Sequence, residues 1–344
     1  MNILITGGAG FTGVNFARHY LAQGYDVVVF DNLSRTGGLD NLAWLQRQVD
    51  AQRLNVIVGD VRLPPPSLEA EISSCDAVFH FAGQVAVTTS VTDPAHDFDV
   101  NARGTFNMLE LVRTAGAQRP VFFYSSTNKV YGRMENVVTV QGERRYSYRD
   151  LPDGIGESQG LDFHSPYGCS KGSADQYVRD YARIYGLRTV VLRQSCIYGY
   201  RQFGIEDQGW VAWFVIATIL GRQITIYGDG KQVRDILFID DLITAYERAW
   251  QHIDTTAGRV YNIGGGPQNT ISLLDLIDHL STKLNRQIPL DYGDWRPGDQ
   301  PVYVSDIRRA KEDFGWSPEI DWRVGVDRLL DWVTENKDLL AALL

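Results

Sequence analysis

The segment TGGAGFTG, Thr6 to Gly13, constrains this chain most. It follows a short aliphatic run, Asn2–Thr6, and opens a helix-length stretch, Phe11–Gln23. A strand must therefore turn at once into a helix. Gly7 allows the tight turn, Gly10 lets the backbone approach a pyrophosphate, and Gly13 permits close helix–sheet packing. The helix start, with Phe11 and Thr12, presents unpaired N–H groups and a positive dipole end to an anion. The spacing is G-x-x-G-x-x-G rather than G-x-G-x-x-G, and a plain tight turn also uses such glycines, so context has to decide.

The context is a repeating strand–helix rhythm. Runs at Val27–Phe30, Asn55–Val58, Ala77–His80, Val121–Tyr124 and Thr189–Leu192 read as buried parallel strands. Phe98–Thr114 and Tyr167–Tyr185 read as helices between them. The pattern predicts an α/β chain with a doubly wound parallel sheet of the Rossmann type. Asp31 closes the second strand 18 residues after Gly13. A carboxylate there accepts from a ribose 2′-OH and repels a 2′-phosphate, which favours NAD over NADP. Arg35 points the other way, since an arginine can host that phosphate. Asp60 and Val61, after the third strand, fall where an adenine edge would lie, and Asp60 reads equally well as a helix N-cap.

After Arg193 the texture changes to a glycine- and aromatic-rich loop, an apolar helix at Trp210–Leu220 and a strand at Ile224–Tyr227. Ile236–Trp250 reads as strand then helix, Arg259–Ile263 as a strand, and Leu273–Leu284 and Trp322–Val333 as helices. The expected division is a dinucleotide domain of residues 1–194 plus 237–265, and a smaller, discontinuous α/β domain of 195–236 plus 266–344. Leu63–Ser67, with three prolines, reads as a surface loop, and Met134–Gly160 as an insertion.

Composition narrows the partners. Thirty-three Lys and Arg against 42 Asp and Glu give a net charge of -9, which argues against a nucleic-acid binder. The apolar Trp210–Leu220 stretch is too short for a span of roughly 20 residues, and no signal peptide is visible at the start. Cys75, Cys169 and Cys196 show no CxxC spacing, and no histidine pair is spaced as HxxxH, so neither a disulfide framework nor a metal site is expected. The reading is an enzyme of a reducing compartment, cytoplasmic, with no membrane partner.

The second chemical signal is Tyr167-Gly-Cys-Ser-Lys171, with Ser125-Ser-Thr127 at the end of a strand. A spacing of four puts Tyr167 and Lys171 on one helix face. A tyrosine titrates at about 10, so a base near neutrality needs a downward shift of about three units. A neighbouring ammonium supplies part of that. Thr127 can hydrogen-bond the reacting hydroxyl. A bare YxxxK is also found on exposed helix faces; its pairing with the glycine turn and SST makes it specific.

These motifs, with FDNLSR (Phe30–Arg35), GDV (Gly59–Val61), HFAGQ (His80–Gln84), NARGT (Asn101–Thr105), SST…VYG (Ser125–Gly132), RQSCIYG (Arg193–Gly199) and RDILFIDD (Arg234–Asp241), resemble the extended short-chain dehydrogenase/reductases over nearly the whole chain. The similarity is to the nucleotide-sugar epimerases and dehydratases, and within them to enzymes inverting carbon-2 of a CDP-sugar. The resemblance implies bound NAD and catalysis by Thr127, Tyr167 and Lys171. It implies cofactor contacts from Gly7, Gly10, Phe11, Thr12, Gly13, Asp31, Asn32, Ser34, Arg35, Asp60, Val61, Phe81, Ala82, Gln84, Asn101, Tyr167 and Lys171. Substrate contacts are implied for Asn128, His164, Gln208, Gly209, Arg234 and Arg296, with a CDP-sugar favoured and a homo-oligomer, dimer or tetramer, expected.

Alternatives stay open at this point: surface salt bridges for Arg234 and Arg296, a loop role for His164, core packing for Trp210, Trp213 and Phe214. A 4-epimerase, a 2-epimerase of another nucleotide sugar and a non-catalytic NAD sensor also remain. One departure is informative. Dehydratases of the family carry Asp-Glu after the active-site Thr, whereas this chain carries Asn128-Lys129. Another is Cys196, where many relatives place a substrate-contacting Asn.

Overall fold

The computed structural model describes residues 1–49, 51–116, 119–296 and 299–344; Pro297 and Gly298 of the RPGDQ segment lie outside the described residues. The chain divides into two compact units. One comprises residues 1–130, 165–193 and 246–261, the other 131–164, 194–245 and 262–344.

The first unit is built on a seven-stranded sheet in the spatial order Arg259–Ile263, Thr189–Gln194, Val121–Thr127, Ala77–His80, Asn2–Thr6, Asp26–Asp31, Leu54–Val58. The pairings from Val121–Thr127 through Leu54–Val58 are all parallel. Strand order reverses between Asn2–Thr6 and Ala77–His80, so the crevice at their carboxyl ends is the place where such sheets bind ligands. Alternation sorts the side chains. Val78, Phe122 and Tyr124 enter one core with Leu4, Met108, Val112, Val178 and Val191. Phe79 and Phe123 face the other way, into an aromatic cluster with Phe16, Tyr20, Tyr246 and Trp250.

Among the helices that the sequence reading does not contain are Gly38–Gln48, whose buried stripe is only Gly38, Asn41, Leu42 and Leu45, and Ser67–Ser74. The latter starts directly after the prolines of Leu63–Ser67, which suit the entry to a helix. The expected Phe98–Thr114 helix is interrupted. Pro94–Phe98 and Gly104–Thr114 are α-helical, and Asp99–Arg103 between them is a π-helical turn, a distortion frequent at functional sites.

The second unit centres on Val233–Phe238, which pairs in parallel with Cys196–Tyr198 and Val302–Tyr303 and antiparallel with Thr270–Ser272. Ile224–Tyr227 pairs in parallel with Leu290–Gly293. Trp210–Leu220 is buried from Val211 to Thr218, as a helix apolar on all sides must be. The stretch Met134–Gly160 is not a bare insertion. It forms a hairpin, Thr139–Gln141 with Tyr146–Tyr148. Tyr146 Oη donates to Asp229 Oδ2 at 2.8 Å, Tyr148 Oη to the Val302 carbonyl at 3.1 Å, and Ile155 N to the Val304 carbonyl at 2.8 Å. Residues 131–164 therefore group with the second unit, whereas the sequence boundaries assign them to the first; the reason is these hydrogen bonds, made between residues far apart in sequence. No helix among the described residues is long and apolar enough to cross a membrane.

Candidate active site

The glycine turn is built by close approach. Gly7 has φ +68, and a Cβ there would lie 2.7 Å from the Ala82 nitrogen. A Cβ on Gly13 would overlap the Gly7 carbonyl. At Gly10 an added Cβ meets only the Gly7 oxygen, at 3.2 Å, and otherwise open space. Gly10 occupies the N-cap position of the helix Phe11–Ala22, with no side chain capping it and no acid in its first turn. Free N–H groups and an uncompensated dipole end thus face an open cradle, which fits a pyrophosphate. Phe11 and Thr12 form the half-buried first turn.

Asp31 braces this cradle: Oδ2 accepts from Ala9 N at 3.0 Å and Oδ1 from Leu33 N at 2.8 Å. Each oxygen keeps acceptor capacity for a diol. Asn32 turns back on Ser34, accepting from its N at 3.1 Å and its Oγ at 2.7 Å. Its amide donates to Asp60 Oδ2 at 2.9 Å. Asp60 is not a helix cap. Its carboxylate takes Arg62 Nε at 3.0 Å and Nη2 at 2.8 Å, and this guanidinium holds it well below the usual carboxylate range. Val61 is buried beneath. Arg35 is exposed, within electrostatic reach of Asp31.

At the end of the fourth strand a hydrogen-bond chain fixes the next loop. Ala82 N donates to Thr6 Oγ1 at 3.2 Å, and Thr6 Oγ1 lies 2.7 Å from His80 Nδ1. Thr105 Oγ1 donates to the Asn101 carbonyl at 2.6 Å, so His80 Nε2, at 3.0 Å, is the proton donor to Thr105. Burial pushes His80 down to about 3, keeping it neutral in this relay. Asn101, in the π turn, clamps Gln84 from both sides: its Oδ1 accepts from Gln84 N at 2.9 Å and its Nδ2 donates to the Gln84 carbonyl at 3.0 Å. Phe81 packs edge-on against Phe16, ring centroids 4.7 Å apart.

Tyr167, Thr127 and Lys171 come together at the end of the fifth strand. Ser165 Oγ accepts from Gly168 N at 3.2 Å, and Pro166 follows, so the helix Ser165–Tyr185 starts just ahead of Tyr167. The Tyr167 phenol faces Thr127, whose polar side chain favours the ionised form. Thr127 Oγ1 also donates to Asn128 Oδ1 at 3.3 Å. Lys171 Nζ donates to the Ser125 carbonyl at 2.5 Å and lies 4.4 Å over the Tyr124 ring. Burial pushes the Tyr167 phenol up to about 12 and the Lys171 ammonium down to about 7, partly opposed in Lys171 by Asp175 and Asp97.

In the second unit, Arg234 is buried and donates to Asp299 Oδ1 at 2.5 Å, and Arg296 pairs with Asp207 at 3.0 Å while stacking 4.0 Å over the Tyr227 ring. Both arginines make ion pairs, Arg234 a buried one rather than the surface salt bridge of the alternative reading. Gln208 N donates to the Ile205 carbonyl at 3.0 Å, and Gly209, φ +75, begins the Trp210 helix. Arg296 Nη2 reaches the Glu206 carbonyl at 3.4 Å, so Arg296 is drawn to the loop holding Gln208 and Gly209. His164 is exposed. Trp213 and Phe214 are buried in the core of this unit, and Trp210 packs against Phe214.

Comparison with known proteins decides the family. The profile of the GDP-mannose 4,6 dehydratase family matches residues 4–329. The chain belongs to this family. It is 44% identical over 340 residues to CDP-paratose 2-epimerase from Salmonella typhi, covering 97% of this chain and 99% of that one. Among solved structures it is similar to the dTDP-glucose 4,6-dehydratase DesIV from Streptomyces venezuelae with NAD and TYD bound (28% identity, TM-score 0.85, all of both chains). It is also similar to UDP-glucose 4-epimerase from Thermotoga maritima with UDP-glucose (30%, TM-score 0.82, 98% of this chain and 100% of that one).

This family member carries a set of buried groups behind the site that motif reading passed over. Asp175 is fully buried, accepting from Arg193 Nε at 2.8 Å, Arg193 Nη2 at 2.9 Å and Ser126 Oγ at 2.7 Å. Asp97, also buried, accepts from Ser170 Oγ at 2.5 Å. Helix spacing places Asp175 four residues beyond Lys171, on the stripe that Tyr167 begins, but the sequence does not mark Arg193 as its partner.

Proposed function

We propose that the protein is an NAD-dependent nucleotide-sugar epimerase that inverts carbon-2 of CDP-paratose to give CDP-tyvelose. The observation that carries this reading is the 44% identity, over nearly the full length, to CDP-paratose 2-epimerase, joined to a Tyr167–Thr127–Lys171 cluster in which Asn128-Lys129, not an acid pair, follows Thr127. Asn128, buried beside Thr127, has no acidic proton, and Lys129 stands where the dehydratases carry a carboxylic acid, so the acid pair that serves elimination of water is missing here.

In this reading the Gly7–Gly13 turn and the start of the following helix hold the NAD pyrophosphate. Asp31 holds a ribose; Asn32, Ser34, Arg35, Asp60 and Val61 line the adenosine end, and Phe81, Ala82, Gln84 and Asn101 the nicotinamide end. Bound NAD supplies a reversible hydride acceptor. Tyr167 takes the proton of the carbon-2 hydroxyl while that carbon is oxidised, with Thr127 hydrogen-bonding the same oxygen. Lys171 provides positive charge that favours the ionised phenol. The ketosugar turns over, carbon-2 is reduced on its other face, and Tyr167 returns the proton, leaving no net oxidation. His164, Gln208, Gly209, Arg234 and Arg296 are the residues we propose for the CDP end, and binding energy from that remote part serves the reacting end of the substrate. Arginines suit phosphate geometrically, and Arg234 and Arg296 exchange their carboxylate partners for it.

Two outcomes test this. Proton NMR of the reaction shows CDP-paratose reaching an equilibrium mixture with CDP-tyvelose, and deuterium placed at carbon-2 stays at carbon-2. Label lost to solvent means deprotonation instead; inversion of UDP-glucose at carbon-4 with CDP-paratose untouched overturns the carbon-2 assignment. Cofactor released by denaturation is NAD, because Asp31 repels a 2′-phosphate; NADP as the main species overturns that step. We also propose a homo-oligomer, supported by exposed Phe106, Tyr177 and Ile184 on the Gly104–Thr114 and Ser165–Tyr185 helices. A cytoplasmic place is supported by Cys75, Cys169 and Cys196 forming no disulfide among the described residues.

A further inference from the structure

Asp97 has an environment that the reaction as described does not use. It sits on the short helix Pro94–Phe98, and 1% of its surface is exposed. Three neutral donors from three elements converge on it. Ser170 Oγ donates to Oδ2 at 2.5 Å from the helix that carries Tyr167 and Lys171. Gln84 Nε2 donates to Oδ1 at 3.0 Å from the loop after the fourth strand. Asn101 Nδ2 donates to Oδ1 at 3.2 Å from the π turn. Asn101 Nδ2 also reaches Ser170 Oγ, at 3.1 Å, so the three donors are tied to one another as well. Ser170 lies three residues past Tyr167 and one before Lys171, which makes it the point where this helix is fastened.

We propose that Asp97 is a positioning residue for the epimerase reaction: it locks the Tyr167–Lys171 turn to the Gln84 loop and supplies a fixed negative charge behind both side chains. The inference rests on the catalytic reading of Tyr167. A carboxylate accepts from all three donors and carries a charge. An amide in its place keeps one oxygen for Gln84 and Asn101 and turns its NH2 toward Ser170 Oγ, which can accept it and direct its own proton to the Tyr167 carbonyl at 3.2 Å, so the charge is lost while the hydrogen bonds can still be made.

The charge has a consequence for pH. Lys171 faces Asp97 and Asp175, with His80 and the Tyr124 ring beside it; Tyr167 faces Thr127 and Asp97; Asp97 itself faces Lys171 and His96. Asp97 favours the charged form of Lys171 and opposes ionisation of Tyr167. Without that charge both groups lose their protons at lower pH. The acid limb of the rate profile, set by Tyr167 ionising, moves down, and the alkaline limb, set by Lys171 losing its proton, moves down with it. A residue that merely filled space would lower the whole profile without moving it.

The experiment compares kcat/KM against pH for the wild-type holoenzyme, Asp97→Asn and Tyr167→Phe, with bound NAD measured after denaturation and the thermal midpoint of each. The expected result for Asp97→Asn is an active enzyme with NAD bound, a kcat down about tenfold or more, and both limbs displaced toward acid by about half a pH unit or more. An unmoved profile overturns the proposal. Should Asp97→Asn fail to fold, Ser170→Ala decides: it removes the donor that favours the Asp97 charge, so its profile moves the same way by less, and an unmoved profile there overturns the proposal. If Tyr167→Phe stays active, the catalytic reading has failed; if Tyr167→Phe is inactive while the profile is unmoved, only the role of Asp97 has failed.

Discussion

Tyr167→Phe abolishes epimerisation and leaves the fold and the bound NAD in place. The ring remains in its buried seat, and only the hydroxyl facing Thr127 is lost. General acid–base groups contribute about 10²- to 10⁴-fold. The electrostatics explain why the effect falls at the upper end. Burial pushes this phenol up to about 12, away from what a base near neutrality requires. Positive charge has to bring it down, and Lys171, itself pushed down to about 7 by burial, carries that charge only below its own titration. Activity is thus confined between a limb where Tyr167 keeps its proton and a limb where Lys171 has lost its own. Initial rates on CDP-paratose, NAD content after denaturation and a melting curve check the prediction together. Near wild-type turnover would remove Tyr167 from the base role.

How much of this was legible before any coordinates follows from what each feature depends on. The main strands were readable because buried parallel strands are continuous runs of apolar residues, as in Ile3–Ile5 and Val27–Phe30. The glycine turn was readable because Gly7 and Gly13 answer to close contacts that no side chain permits. Tyr167, Lys171 and Thr127 were readable because helix spacing and a strand end fix their places. Asp97 and Asp175 were not. Their meaning lies in partners 73 residues away at Ser170 and 18 away at Arg193, and a lone aspartate in a helix looks like any solvated one. The hairpin at Thr139–Gln141 and Tyr146–Tyr148 escaped for a related reason. Its strands are three residues each, exposed or half-buried, and are held by distant residues such as Asp229 and Val302 rather than by an alternating pattern.

Asp175→Ala carries the largest expected loss of stability. Asp175 and Arg193 are a fully buried pair, with 0% and 2% of their side chains exposed, joined by two hydrogen bonds of 2.8 and 2.9 Å. A buried pair adds little over an apolar pair of the same shape, but deleting one partner strands the other charge and costs about 3–5 kcal/mol. Here the alanine also takes the acceptor from Ser126 Oγ. The expected drop in thermal midpoint is on the order of 10 °C. Replacing both partners with leucine recovers most of it, because no charge is then left buried. A midpoint for Asp175→Ala within a degree of wild type would show that this pair does not hold the first unit together. The loss extends to turnover. Ser126 precedes Thr127 on the strand, and Asp175 lies one helical turn beyond Lys171, so the pair fastens the two elements that bring Thr127 and Tyr167 together. Among correctly folded molecules of the variant kcat therefore falls and the alkaline limb set by Lys171 moves toward acid, because Asp175 also favours the charged Lys171, whereas Asp97→Asn moves the Tyr167 limb as well.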